Sequence, residues 1–148
     1  MRLGRLSVLP VSAAFLVFAV AAASGSPVIP PTADEVFHLS AKSDHPGSLV
    51  LTWTIAPDTY LYRDRIAVML SSQTVSPPLE PGIVVNDQVF GPTEIYRDHL
   101  ETRIEVPVAM SGGRLTVSYQ GCAEHKLCYP PVVKSIDLKT LAIGDAPD

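Results

Sequence analysis

The sequence predicts an all-β, immunoglobulin-like antiparallel β-sandwich carrying a cysteine hairpin, and three observations point to the sandwich. Short runs of apolar residues alternate with polar ones at the two-residue period of a half-buried strand. Turn-forming residues separate these runs at short intervals. The 14 prolines, clustered at Pro27, Pro30 and Pro31, at Pro77, Pro78 and Pro81, and at Pro130 and Pro131, leave no room for a long amphipathic helix. A chain of 148 residues supplies one core rather than two. With 47% hydrophobic and 18% charged residues it is globular, and a net charge of −4 gives nucleic-acid binding no electrostatic support.

The elements follow in order. Residues 1–23 read as a secretory signal peptide, with Arg2 and Arg5 ahead of an apolar stretch from Leu6 to Ala23. Ala21 and Ala23 fit cleavage after Ala23, and an uncleaved anchor is the rival reading. Removal of the two arginines takes the charge from −4 to −6. Residues 24–34 form a proline-rich lead-in, residues 35–141 the sandwich, and residues 142–148 a polar, flexible tail. Within the sandwich, Glu35–Ala41 alternates weakly. Ser48–Ile55 is the clearest strand, with Leu49, Leu51, Trp53 and Ile55 on one side. Tyr60–Tyr62 follows the turn Ala56-Pro57-Asp58, and Ile66–Leu70 is a further strand. Residues 71–82 read as a loop, and Ile83–Phe90 as partly extended. Thr102–Val108 points Ile104, Val106 and Val108 inward, Ser111-Gly112-Gly113 turns, and Leu115, Val117 and Tyr119 begin another inward face. Val132–Leu138 is the last strand, completing two antiparallel sheets.

Cys122 and Cys128, the only two cysteines, flank a five-residue loop that follows a strand and precedes Pro130 and Pro131. In an exported protein such a pair is able to close a disulfide at the mouth of a hairpin. Closing a loop of about seven residues stabilises by roughly 2–2.5 kcal/mol, less than a bridge between distant strands gives. The spacing leaves three readings open. The bond is a structural bridge in an exported binding module, or a redox tool, or the cysteines join His125 as soft ligands for copper or zinc.

Three segments then narrow these readings. Tyr119-Gln-Gly-Cys-Ala with Cys128-Tyr-Pro-Pro, Tyr60-Leu61-Tyr62-Arg63 and Glu94-Ile95-Tyr96-Arg97-Asp98 occur in that family's order and resemble elements of the N-terminal periplasmic domain of the thiol:disulfide interchange protein DsbD. The resemblance implies an immunoglobulin-like fold and a periplasmic protein-disulfide reductase whose only redox group is the Cys122–Cys128 pair, with no metal and no cofactor. It implies that Cys128 attacks a partner's disulfide and Cys122 resolves the mixed disulfide. Partners, by resemblance, are a thioredoxin-like domain and a membrane electron-transfer protein on one side. On the other are periplasmic disulfide proteins, namely a disulfide isomerase and the cytochrome c maturation pathway. A monomer with an accessible site suits such a relay.

The resemblance also implies that Tyr60 and Tyr62 pack around the cysteines, and that Asp87-Gln88-Val89-Phe90-Gly91 forms a cap loop over them. That family often has two acids, Phe, an aromatic residue and Gly there. This sequence has Gln88 in place of the second acid and Val89 in place of the shielding Phe. Either Val89 covers less of the disulfide, or Phe90 takes over the duty. The family protein also continues into membrane helices and a thioredoxin-like domain, so the sequence is either a fragment of such a protein or a stand-alone domain that draws electrons from a separate partner.

Overall fold

A computed structural model describes residues 29–71, 73–124 and 126–146. Residues 1–23, read above as a signal peptide, the first part of the lead-in (24–28) and His125 lie outside the described residues.

The chain is the antiparallel all-β sandwich that its period-two patterning predicts, with one helical turn, α1 (Ala33–Val36), at its start. The Glu35 carboxylate accepts hydrogen bonds from the Thr32 amide at 2.6 Å and the Thr32 hydroxyl at 2.8 Å, which starts this turn. The strands are β1 (Phe37–Lys42), β2 (Ser48–Ile55), β3 (Thr59–Tyr62), β4 (Ala67–Leu70), β5 (Gln73–Val75), β6 (Ile83–Asp87) and β7 (Gly91–Tyr96). They continue with β8 (His99–Glu105), β9 (Arg114–Tyr119), β10 (Gly121–Ala123), β11 (Leu127–Cys128), β12 (Val132–Asp137) and β13 (Ile143–Asp145).

Hydrogen bonding divides them into three sheets rather than the two expected: β1-β2-β8, β11-β10-β3-β7-β6 and β13-β12-β9-β4-β5. The last two share their chain. The segment that forms β3 continues through a 3-10 turn at Arg63–Arg65 into β4, and its neighbour β9 continues past Gln120 into β10. One long antiparallel pair therefore passes from one sheet to the next. The core lies between β1-β2-β8 and this surface. Leu49, Leu51, Trp53 and Ile55 from β2 meet Val68, Leu115, Val117, Tyr119 and Ile136 from the other layer. Val50, on the opposite face of β2, is buried as well. Its register partners are Lys42 and Arg103, whose aliphatic stems are long enough to cover it.

Three local readings are corrected, and one strand that the sequence reading did not assign is added. The run at Thr102–Val108 ends at Glu105, because Pro107 has no amide to continue a ladder; Val108 enters a 3-10 turn and is 81% exposed. The 71–82 segment contains β5, an edge strand paired to β4, with Ser71 at φ 56° just after β4. Gly91–Tyr96, which lacks clean alternation, is strand β7. The tail expected to fray instead supplies β13, paired to β12 and tied down by Lys134, whose ammonium donates to Asp34 and Asp145, each at 2.6 Å.

For the site, the sheet β11-β10-β3-β7-β6 matters most. Leu61 and Tyr96 of this sheet face the main core. Its other face carries Tyr60, Tyr62, Val85, Ile95 and Cys122 as a separate cluster.

Candidate active site

Strands β10 and β11 form a hairpin in which Cys122 stands directly opposite Cys128. The two sulfurs are bonded at 2.05 Å, and the Cα atoms lie 3.9 Å apart. The Tyr129 amide donates to the Gly121 carbonyl at 3.0 Å, so Cys122 and Cys128 are a non-hydrogen-bonded pair, the kind whose side chains approach most closely. On its other side Cys122 faces Tyr60 of β3. Bonds from the Tyr62 amide to the Gln120 carbonyl (3.0 Å) and from the Glu124 amide to the Asp58 carbonyl (2.7 Å) bracket that pair. The backbone groups of Cys122 are therefore used against Tyr60.

Gly121 makes this close approach possible. A Cβ at that position would overlap the Tyr60 carbonyl oxygen and press into the Phe37 ring. The two cysteines thus differ sharply in surroundings. Cys122 is 2% exposed and fixed in the middle of the sheet; Cys128 is exposed on its edge.

The β6–β7 hairpin brings the remaining groups. The Asp87 carboxylate accepts the Val89 and Phe90 amides at 2.8 and 3.0 Å, which builds the turn. Gly91 closes it at φ +70°, where an added Cβ would meet nothing within 4 Å, so the requirement is conformational. The other Asp87 oxygen accepts the Tyr62 hydroxyl at 2.8 Å and the Tyr60 hydroxyl at 3.2 Å. The Tyr62 hydroxyl also lies 3.2 Å from the Cys122 Sγ. A single hydroxyl hydrogen thus has a carboxylate and a sulfur within reach.

These contacts set the electrostatics. Burial pushes the Asp87 carboxyl up, but the bonds it accepts from Tyr62, from the Val89 and Phe90 amides and from Tyr60 outweigh this and hold it below 3.8. Burial pushes the Tyr62 phenol far up, and its bonds to Tyr60 and Asp87 add to the effect, so Tyr62 stays protonated and able to donate. A lowered carboxyl pKa contributes stability that is present above the unfolded value and lost as pH falls through the folded one. Asp87→Asn should therefore reduce the loss of melting temperature between about pH 5 and pH 2, measured by thermal melts across that range. An acid limb identical to that of the unmodified protein would rule this out.

Between the two hairpins runs an open groove of about 550 Å³, with the disulfide in its wall. Gln88 and Val89 line it, and Val89 is 74% exposed. Phe90 lies elsewhere: its ring packs edge-on against Tyr62 at 5.2 Å, with the Arg65 guanidinium 4.9 Å from its centre. The structure thus brings Cys122, Cys128, Tyr60, Asp87, Gln88 and Val89 around one groove, with Tyr62 joined to Cys122 and Asp87 beneath it and Phe90 packed against Tyr62.

Arg65, Arg97 and Glu124 are neighbours that the sequence did not single out. Arg97 pairs with Glu124 through both its terminal nitrogens (3.0 and 3.5 Å) and sits 5.3 Å from the centre of the Tyr60 ring. It links the cysteine hairpin to β7. Arg97 lay inside a quoted motif, but nothing local in the sequence marks a pairing across 27 positions.

A family model described as "Thiol:disulfide interchange protein DsbD, N-terminal" matches residues 28–140. Proteins named thiol:disulfide interchange protein DsbD are similar over most of this chain. The one from Cronobacter sakazakii is 40% identical over 110 residues, 74% of this chain and 19% of its own length. That from Escherichia coli strain K12 is 35% identical over 115 residues, 77% and 20%. The chain thus spans about a fifth of the length of these curated relatives. The crystal structure of the Neisseria meningitidis DsbD N-terminal domain in the reduced form has the same fold, with a TM-score of 0.59 at 22% identity, covering 81% of this chain and 96% of that one. The DsbD N-terminal domain solved in complex with the PilB N-terminal domain from the same species gives 0.62 at 21%, covering 83% and 96%.

Proposed function

Because this chain belongs to the family of DsbD N-terminal domains, we propose that its thiol–disulfide interchange role runs through Cys122 and Cys128, in the periplasm, after cleavage of residues 1–23. One observation carries the reading: the disulfide joins one exposed sulfur to one buried sulfur that lies 3.2 Å from a hydroxyl donor. In the reduced domain the Cys128 thiolate attacks a partner's disulfide and expels one partner thiolate. The Cys122 thiolate then attacks Cys128, expels the second partner thiolate and closes the Cys122–Cys128 bond. Two electrons pass to the partner, and its two thiolates take up two protons.

Recharging runs in reverse. A donor thiolate attacks the exposed Cys128 sulfur, and Cys122 leaves as a thiolate. The Tyr62 hydroxyl is placed to turn its hydrogen from Asp87 to that sulfur, which favours departure. The donor we propose is a thioredoxin-like domain served by a membrane electron-transfer protein. The acceptors are disulfide-bonded periplasmic proteins, including a disulfide isomerase and the cytochrome c maturation pathway. The test is stopped-flow mixing of the oxidised domain with a reduced thioredoxin-like domain. Second-order reduction of Cys122–Cys128 is expected, and no reduction beyond that given by free dithiothreitol would refute the role.

In the cap, we propose that Phe90 acts through Tyr62 while Val89 leaves the groove open. Phe90→Ala should therefore speed alkylation of the reduced pair by iodoacetamide a few-fold. An unchanged rate would show that Phe90 shields nothing.

A further inference from the structure

We propose that the open groove admits a second class of substrate, the disulfides of small zwitterionic amino acids such as cystine, which the reduced Cys122–Cys128 pair reduces directly; the proposal rests on the exchange reading above. Two observations carry it. The first is access. The groove of about 550 Å³ has the size of a small-molecule site, about 300–1,000 Å³, and both cysteines line it. Cys128 is exposed there. Val89, on the facing turn, is a small side chain that is itself 74% exposed, and the Phe90 ring is packed against Tyr62 and Arg65 instead. Neither covers the bond.

The second is charge. Four charged residues line the groove: Asp87 on the β6–β7 turn, Arg97 after β7, and Glu124 and Lys126 in the cysteine loop. Arg97 and Glu124 neutralise each other as an ion pair at 3.0 Å. The Asp87 carboxylate accepts only neutral donors, the Tyr60 and Tyr62 hydroxyls and the Val89 and Phe90 amides, so it keeps its negative charge. Lys126 is exposed and makes no ion pair among the described residues. One wall of the groove is therefore negative and the other positive, with the reachable sulfur two positions from the lysine. A molecule of either net charge is drawn to one wall and repelled by the other. A zwitterion is drawn to both, its ammonium toward Asp87 and its carboxylate toward Lys126.

The reaction balances without a further reagent. The Cys128 thiolate attacks one sulfur of cystine and expels one cysteine thiolate, which leaves a cysteine linked to Cys128. The Cys122 thiolate then attacks the Cys128 sulfur, expels the second cysteine thiolate and closes the Cys122–Cys128 bond. Two electrons pass from the pair to cystine, and the two product thiolates take up the two protons that the pair releases. The thioredoxin-like donor restores the dithiol, as it does after a protein substrate.

The test mixes the reduced protein, at low ionic strength, with four small disulfides: zwitterionic cystine, doubly positive cystamine, doubly negative dithiodiglycolate and neutral hydroxyethyl disulfide. Each rate is divided by that of the same disulfide with dithiothreitol, which removes differences in intrinsic reactivity. Cystine is expected to lead each of the others by about three- to tenfold, the size of two exposed charge contacts. With Lys126→Glu both walls are negative, and cystamine should overtake cystine. Val89→Phe sets a ring at the groove and should lower, several-fold, the ratio of the cystine rate to the rate with a disulfide-bonded thioredoxin-like domain. Cystine no faster than the neutral disulfide, an order that Lys126→Glu leaves unchanged, or a ratio that Val89→Phe leaves unchanged would overturn this substrate class alone. No reaction with any of the four or with the thioredoxin-like domain would overturn the exchange reading as well.

Discussion

Cys128→Ser is expected to abolish disulfide transfer, with activity at the level of the uncatalysed thiol reaction, whereas Cys122→Ser should stop it halfway. The two sulfurs sit in one bond but not in one environment. Cys128 lies on the sheet edge beside the groove, and Cys122 is buried beneath Tyr62 with its backbone tied to Tyr60. A partner can reach the first sulfur and not the second. Removing Cys128 therefore removes the point of attack, and the remaining sulfur belongs to a residue only 2% exposed. Removing Cys122 leaves the attack intact but deletes the resolving thiol, so a covalent domain–partner adduct should accumulate and be visible on a non-reducing gel. Adduct formation by Cys128→Ser in place of Cys122→Ser would reverse the assigned roles.

Gly121→Ala should lower stability by about 2–3 kcal/mol, the usual cost of forcing one extra carbon into a filled site. For a domain of this size that is a melting temperature lower by about 5–10 °C. The neighbours that a methyl group would strike are the backbone oxygen of Tyr60 and the ring of Phe37. Phe37 is itself held edge-on by Tyr119 (6.5 Å) and Tyr129 (5.5 Å). Neither neighbour is the free end of a flexible chain, so relief has to come from spreading β3 and β10. That movement would also carry Cys122 away from Tyr62, so exchange should slow in the molecules that remain folded. A melting temperature within a degree of the unmodified protein would show that the strands part easily.

The sandwich was legible wherever one face of a strand was buried and the other wet. Ser48–Ile55 and the inward set Leu115, Val117 and Tyr119 come directly from alternation, since the pleat enforces it. Strands β5, β7 and β13 were not legible. They are edge strands or carry Pro92 and Gly144, and their identity is fixed by a neighbour's hydrogen bonds rather than by their own pattern. The bend at Arg63–Arg65 that turns two sheets into three has no periodic signal either.

At the site, the cysteine hairpin could be read from spacing, and resemblance pointed to Tyr60, Tyr62 and Asp87 as its neighbours. What the residues alone could not give is their union on one face, because Asp87 reaches Tyr62 across 25 positions and Tyr62 reaches Cys122 across 60. Register decides that meeting, and register is a property of paired strands. The same holds for Arg65 over Phe90, which moves the aromatic ring of the cap off the groove and onto the back of Tyr62.

The reduction potential of the Cys122–Cys128 pair, measured by equilibration with glutathione redox buffers, bears most directly on whether this bond opens and closes in use. A value above about −300 mV, within the range of working dithiol carriers, is expected. A value well below it, in a pair that reduced thioredoxin-like domains leave untouched, would contradict the exchange role and make the bond a structural brace.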